Sequence, residues 1–265
     1  MKIQAPLKTT LSSRINMDAK IEAVREAGNQ LKAILGLSAS PVGVRLVFHL
    51  EPVSDQAVRL HQHRYCQALM KARHGENVIL DTEGIACPAA AAAFGFRPLP
   101  EGLKSGQGLV GFGIVSDPLV GKTMFANMPT LDPGALIRLE LFPLEQAEEI
   151  PDIIVVEDEV EKLMWINLAY LHATGGERVQ GSTAILQATC VDSTVIPFLE
   201  NRLNFGFGCY GCREATDLGL NETVVGFPTT MLEKIVEHVV FLGQKAIPNS
   251  RTKKVFACLK NRQTG

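Results

Sequence analysis

A chain of 265 residues, 46% hydrophobic and 20% charged, has the composition of an ordinary globular protein with length enough for a large core. Its formal net charge of -2 and pI near 6.3 supply no broad basic field, which argues against nucleic acid or an anionic membrane as partner. No apolar stretch of signal-peptide length lies between Met1 and Met17, and no run approaches the roughly 20 apolar residues of a membrane span, so a cytoplasmic protein is expected.

Residues 1–16 read as an N-terminal arm. From Met17 the apolar positions Ile21, Val24, Leu31, Ile34 and Leu35 recur at helical spacing, and Gly36 suits a C-terminal cap. Pro41 to Phe48 reads as a short strand. Ser54 is placed to cap a helix running to His74 and closed by Gly75; within it Cys66 shares a face with Leu69 and Met70 and is expected to point inward. Asn77 to Ile85 is strand-like and delivers the chain to Cys87-Pro88 and an alanine-rich helix. Proline favours the first helical turn, so Cys87 is expected at the N-cap, where free N–H groups favour an anionic thiolate or cluster.

The stretch from Leu99 to Phe142, rich in glycine and proline, is expected to form strands with long connections. It contains two nucleotide-like motifs, both weak. Gly106-Gln107-Gly108-Leu109-Val110-Gly111 has dinucleotide-fingerprint letters without the strand and helix that such a motif needs, and Gly121-Lys122-Thr123 follows Pro118, so a surface turn is expected there. Pro151 to Val156 is a strand, Val160 to His172 a helix carrying Trp165, and a further strand is expected to lead into Cys190. Pro228 precedes a helix with capping-box spacing at Thr230 to Glu233 and a buried stripe of Leu232, Ile235, Val236 and Val239. Residues 245–265 read as a basic, solvated tail in which Cys258 has no assigned role.

Gly75-Glu76 and its strand into Cys87 are echoed by Gly176-Glu177 and a strand into Cys190, at an offset of about a hundred residues. The expected architecture is therefore α/β or α+β, a single domain over 17–244. Two related strand-helix-strand halves, 41–97 and 151–200, would pack about a pseudo-twofold, with central sheets and flanking helices. In that arrangement Cys87 and Cys190 would be equivalent.

The densest chemistry lies in Gly206-Phe207-Gly208-Cys209-Tyr210-Gly211-Cys212-Arg213, which sets a Cys-x-x-Cys pair among three glycines. The six cysteines of a chain without a secretory signal read as reduced thiols or metal ligands rather than a disulfide framework. Four thiolates from Cys66, Cys87, Cys190 and Cys209, separated by 21, 103 and 19 residues, suit an iron–sulfur cluster better than a zinc knuckle built from two close pairs. A thiol–disulfide pair at Cys209 and Cys212, and purely structural cysteines, are the other readings. Arg213 can fork onto a small anionic ligand or serve as a rim salt bridge. His61 and His63 diverge on the expected helix, and His74, His172 and His238 are isolated in sequence.

Leu35-Gly36-Leu37 with Pro41-Val42-Gly43-Val44, Tyr65-Cys66, Ala86-Cys87-Pro88, Cys190-Val191-Asp192 and Gly208-Cys209-Tyr210-Gly211-Cys212-Arg213 together resemble domain-of-unknown-function family 169, from about Leu31 to Leu242. The resemblance implies a cysteine-containing prokaryotic protein, largely of anaerobes, suspected of binding an iron–sulfur cluster, with Cys66, Cys87, Cys190 and Cys209 as recurrent cysteines and Cys212 more variable. It implies no reaction. The expectation is a 4Fe-4S protein with a redox or small-anion-binding role, whose partner is a small molecule, an electron-transfer protein or a second copy of the chain. The contrasting expectation is a zinc-stabilised or cysteine-stabilised small-molecule-binding module.

Overall fold

Alternation along single strands places the sheet at the centre of the molecule. In β5 (Ile153–Glu159), Ile153 and Val155 pack into one apolar cluster while Ile154 and Val156 pack into another, and all four are buried. A strand covered on both faces has this pattern, because successive side chains point to opposite sides. The computed structural model describes residues 11–263. Among them the remaining strands are β1 (Val42–Val47), β2 (Val58–Arg59), β3 (Val78–Asp81), β4 (Arg138–Pro143), β6 (Asn204–Gly206) and β7 (Glu222–Pro228). They form a seven-stranded sheet in the order β2-β3-β4-β1-β5-β7-β6, parallel at β2–β3 and antiparallel elsewhere.

The helices, in chain order, are α1 (Leu11–Leu35), α2 (Tyr65–Arg73), α3 (Pro88–Ala93), α4 (Glu101–Lys104), α5 (Gln107–Gly111), α6 (Pro118–Ala126), α7 (Val160–Ala173), α8 (Ile196–Glu200), α9 (Tyr210–Ala215), α10 (Leu232–Gln244), α11 (Ala246–Arg251) and α12 (Lys254–Gln263), with a π-helical segment at Ala188–Val195. One face of the sheet is covered by α1, α7 and α10, whose Leu31, Leu35, Ile166, Ile235 and Val239 are buried against Ile154, Val156, Val225 and Phe227. The other is covered by α2, α3, the π-helix and α8, with α5 and α6 beyond them. The result is a mixed α/β fold of three layers.

Several expectations hold locally. Gly36 and Gly75 follow α1 and α2 with φ of +66 and +107, and Cys87 is the N-cap of α3 with Pro88 in the first turn. Other expectations are overturned. No helix begins at Ser54: residues 51–57 are irregular, β2 pairs with β3, and α2 starts at Tyr65, where the Gln67 side chain accepts from the Arg64 N–H at 2.9 Å. The glycine-rich middle folds mainly as α4, α5 and α6. Pro118, read as an interruption, is the first residue of α6, whose N-cap Asp117 accepts from Leu119 N at 2.8 Å. Gly121-Lys122-Thr123 therefore lies inside a helix rather than in a surface turn, and the Gly106 to Gly111 motif follows a helix instead of a strand. The basic tail carries α11 and α12 and is exposed over 251–260, while of the arm read at 1–16 residues 11–16 belong to α1 and the first ten lie outside the described residues.

The internal repeat is not seen in the order of elements. Between α7 and the π-helix, residues 177–184 form no strand, where the echo of β3 was expected. Gly175 and Gly176 turn the chain at φ of +78 and +90, and Ile185 and Gln187 at +59 and +56 keep it from extending. Cys87 consequently caps a helix while Cys190 lies within the π-helix, so the two are not on equivalent elements.

Candidate functional site

The π-helix is the element on which the site is built. All eight of its residues are buried. The Ser193 and Thr194 hydroxyls donate to the carbonyls of Ala188 and Thr189, each five residues back, at 2.9 and 2.8 Å, which supports the wider turn. Thr194 Oγ1 also meets Tyr65 Oη at 2.8 Å, tying this turn to α2. Close approach to the sheet makes room for it: a Cβ at Gly226 of β7 would stand 1.8 Å from the Ser193 carbonyl oxygen, so only glycine fits. Asn204 of β6 completes the frame, donating to the carbonyls of Asp192 and Ser182 at 2.7 and 2.8 Å.

Five cysteines reach this region from four elements. Cys66 is the second residue of α2, Cys87 the N-cap of α3, Cys190 the third residue of the π-helix, Cys209 the N-cap of α9, and Cys212 lies within α9. Cys66, Cys190, Cys209 and Cys212 are buried in the same apolar cluster and Cys87 packs against it, partly exposed. The closest pair is Cys209 and Cys212, with sulfurs 3.0 Å apart, and Cys212 N donates to the Cys209 sulfur at 3.3 Å. Thr189 Oγ1 lies 3.5 Å from the Cys212 sulfur, and Cys66 is its other thiol neighbour. Cys87, Cys209 and Cys212 all surround Cys190 electrostatically. Cys258 stands apart, exposed on α12.

Burial dominates the electrostatics. It pushes the Cys190 thiol far above its ordinary range, and Cys87, Cys209, Cys212 and Asp192 add to the shift. Cys209 is raised by the bond to Cys212 and then by burial. For Cys212 the Cys209 bond acts downward, but Cys66 and burial outweigh it and bring the thiol to about 12. No three His, Cys, Asp or Glu side chains among the described residues gather as a ready ligand shell for a metal ion.

The glycine-rich loop is held by Arg213, which donates to the carbonyls of Gly219 at 2.8 Å, Glu222 at 3.0 Å and Phe207. This geometry makes it a brace of the loop, where the sequence suggested an anion fork or a salt bridge. Gly208 sits at φ +76, and a Cβ there would meet Leu218 at 2.7 Å. A cation that acts on the thiols is instead Arg64, which Cys66 and Cys87 influence electrostatically and which is fixed by Gly211 O and Glu214 Oε2, each at 3.1 Å. Arg64 directly precedes the Tyr65-Cys66 motif, a proximity that sequence inspection passed over. His172 and His238, isolated in sequence, stack at 3.7 Å between α7 and α10 on the opposite face, and His74 pairs with Asp217. His63 Nδ1 meets the His61 carbonyl at 2.7 Å.

No helix among the described residues is long and apolar enough to cross a membrane. Comparison with curated proteins and with solved structures gives no match. The profile of one family does match, over residues 30–238, and that range takes in α2, α3, the π-helix and α9 with all five clustered cysteines. The chain belongs to domain-of-unknown-function family 169, described as an uncharacterised ArCR.

Proposed function

We propose that the chain is an iron–sulfur protein whose cluster ligands come from Cys66, Cys87, Cys190 and Cys209, with Cys212 as neighbour or substitute. The observation that carries this reading is the convergence of five thiols, from four helical elements, on one apolar cluster, in which the Cys209 and Cys212 sulfurs stand 3.0 Å apart and Cys87, Cys209 and Cys212 act electrostatically on Cys190. The donor set fits in kind and number, since such clusters are held by cysteine thiolates, commonly four. Four thiolates would also suit a single tetrahedral zinc, and no three His, Cys, Asp or Glu side chains among the described residues gather as a ready shell for either metal. A cluster distributes its thiolates over several irons and so accepts a wider set.

The protonation of these groups weighs against both thiolate attack and ligation until a metal displaces the proton. Burial and the neighbouring Cys66 hold the Cys212 thiol well above its ordinary range, which disfavours it as an attacking thiolate. Metal coordination deprotonates a thiol outright. When bound, a cluster would supply one-electron transfer or an open iron for a small ligand. The protein's own contribution is the dry apolar wall, the Cys212 N–H aimed at Cys209, and the Arg64 guanidinium at the rim.

The 3.0 Å separation of the Cys209 and Cys212 sulfurs favours one competing reading, a dithiol that closes to a disulfide on oxidation. Anaerobic purification with iron, acid-labile sulfide, zinc and free-thiol analysis separates the readings. Iron with matching sulfide is expected; zinc without sulfide, or a metal-free protein that loses two thiols on oxidation, would overturn the proposal.

A further inference from the structure

A cavity of about 540 Å³ opens between α6 and the π-helix. Its walls are Leu119, Val120, Met124 and Met128 on one side and Val191 and Asp192 on the other. The volume is in the range that encloses a small organic molecule. No Lys, Arg or His is among the described residues that line it, so its one ionisable side chain is Asp192. Asp192 is 2% exposed, and its Oδ2 accepts from Thr183 Oγ1 at 2.5 Å. A carboxyl group has about four acceptor positions, so one bond leaves capacity for a second donor.

The rim carries two further signs of a binding site. Leu119 and Val120 are 64% and 49% exposed, leaving apolar surface at the mouth that water covers poorly. Ile185 and Gln187, on the segment leading into the π-helix, adopt left-handed backbone at φ of +59 and +56, a strain that clusters at ligand clamps. Val191 and Asp192 of its wall belong to the π-helix that also carries Cys190, although no cysteine among the described residues lines the cavity.

We propose that this cavity binds a small, mainly apolar molecule bearing an amine head group, with the head group hydrogen-bonded to Asp192 and the apolar body against Val120, Met124 and Met128. This goes beyond the cluster reading and does not depend on it. An anionic head group is disfavoured by a buried carboxyl without a basic neighbour in the lining.

The probes are 4-phenylbutylamine and its charge-inverted analogue 4-phenylbutyrate, titrated calorimetrically into the full chain. The amine is expected to saturate with a Kd below about 1 mM, and the carboxylate to bind at least about tenfold more weakly. Asp192→Asn should weaken the amine by about tenfold or more with an unchanged circular dichroism spectrum. Should that variant fail to fold, Val120→Trp, at an exposed position, fills the mouth and should abolish binding. Equal or tighter binding of the carboxylate, no saturable binding of the amine, or wild-type affinity in Val120→Trp would each overturn the proposal.

Discussion

Glu157 ought to make the folded protein more stable in mild acid than in mild base, the reverse of the usual behaviour of a paired carboxylate. It lies on β5 with its side chain fully buried, and neither of its oxygens has a hydrogen-bond partner among the described residues. Its single counter-charge among the described residues is Arg73, Nε at 3.5 Å from Oε2, and Arg73 is also engaged by Asp217 and, at 4.0 Å, by Glu222. Three carboxyls around one guanidinium cannot all be compensated. Burial, opposed by Arg73 and reinforced by Asp217, Glu222 and Cys209, raises Glu157 from its ordinary 4.5 to about 7.

A folded-state value above the unfolded one means that folding takes up a proton between the two. The stabilisation is complete below pH 4.5 and is lost as pH rises through about 7. At about 1.4 kcal/mol per decade of proton affinity the full effect is about 3 kcal/mol, of which about 2 kcal/mol falls between pH 5.5 and 8.5. Glu157→Gln keeps the shape and removes the charge. Urea unfolding of both proteins at those two pH values should show the variant gaining about 2 kcal/mol on wild type as pH rises, with equal m-values. A constant difference, or a variant that falls behind at high pH, would refute the reasoning and mean that the Arg73 pair outweighs the desolvation of Glu157.

Gly226→Ala should destabilise the fold by about 3 kcal/mol or more in thermal or urea unfolding, because the contact at 1.8 Å is with backbone that cannot rotate away. Tyr65→Phe removes a buried hydroxyl pair but leaves Thr194 bonded to Thr189, so a loss of only about 1 kcal/mol is expected from the same assay. Arg213→Lys should increase protease cleavage between 206 and 222, since one ammonium cannot bridge three carbonyls fixed by a planar fork. Cys258→Ser should leave metal content and stability at wild-type values, whereas Cys190→Ser should lower metal content sharply.

What the sequence disclosed was mostly local. The apolar spacing of α1, α7 and α10, the proline at the start of α3 and the glycines after α1 and α2 act within one turn, and they are where the letters place them. Ser54 misled because a capping residue matters only if the following backbone is free to coil, and here residues 58–59 are claimed by β3. β7 was missed altogether, although it is the neighbour of β5, because Gly226 and Pro228 are poor strand formers and its place is set by cross-strand pairing and by the π-helix above it.

The cysteines were legible as residues and not as a geometry. Composition and spacing single out the thiols but cannot show that Cys212, read as the more variable one and as a substitute ligand or neighbour, stands between Cys66 and Cys209. Nor does any periodicity announce a π-helix, which depends on Ser193 and Thr194 bonding five residues back and on a glycine in another strand. Arg213 was conspicuous as a charge beside the motif, yet its three carbonyl acceptors come from loops on either side of α9 that only the fold assembles. The Glu157 and Arg73 pair is equally non-local, joining β5 to the end of α2.

The claim that the five thiols act as one metal centre is tested most directly by low-temperature electron paramagnetic resonance on anaerobically purified protein, before and after reduction with dithionite. The account predicts a signal that changes with reduction in wild type and in Cys258→Ser, and that is lost or altered in Cys66→Ser, Cys87→Ser, Cys190→Ser and Cys209→Ser. A wild-type protein silent in both redox states, with stoichiometric zinc or with no metal at all, would contradict it.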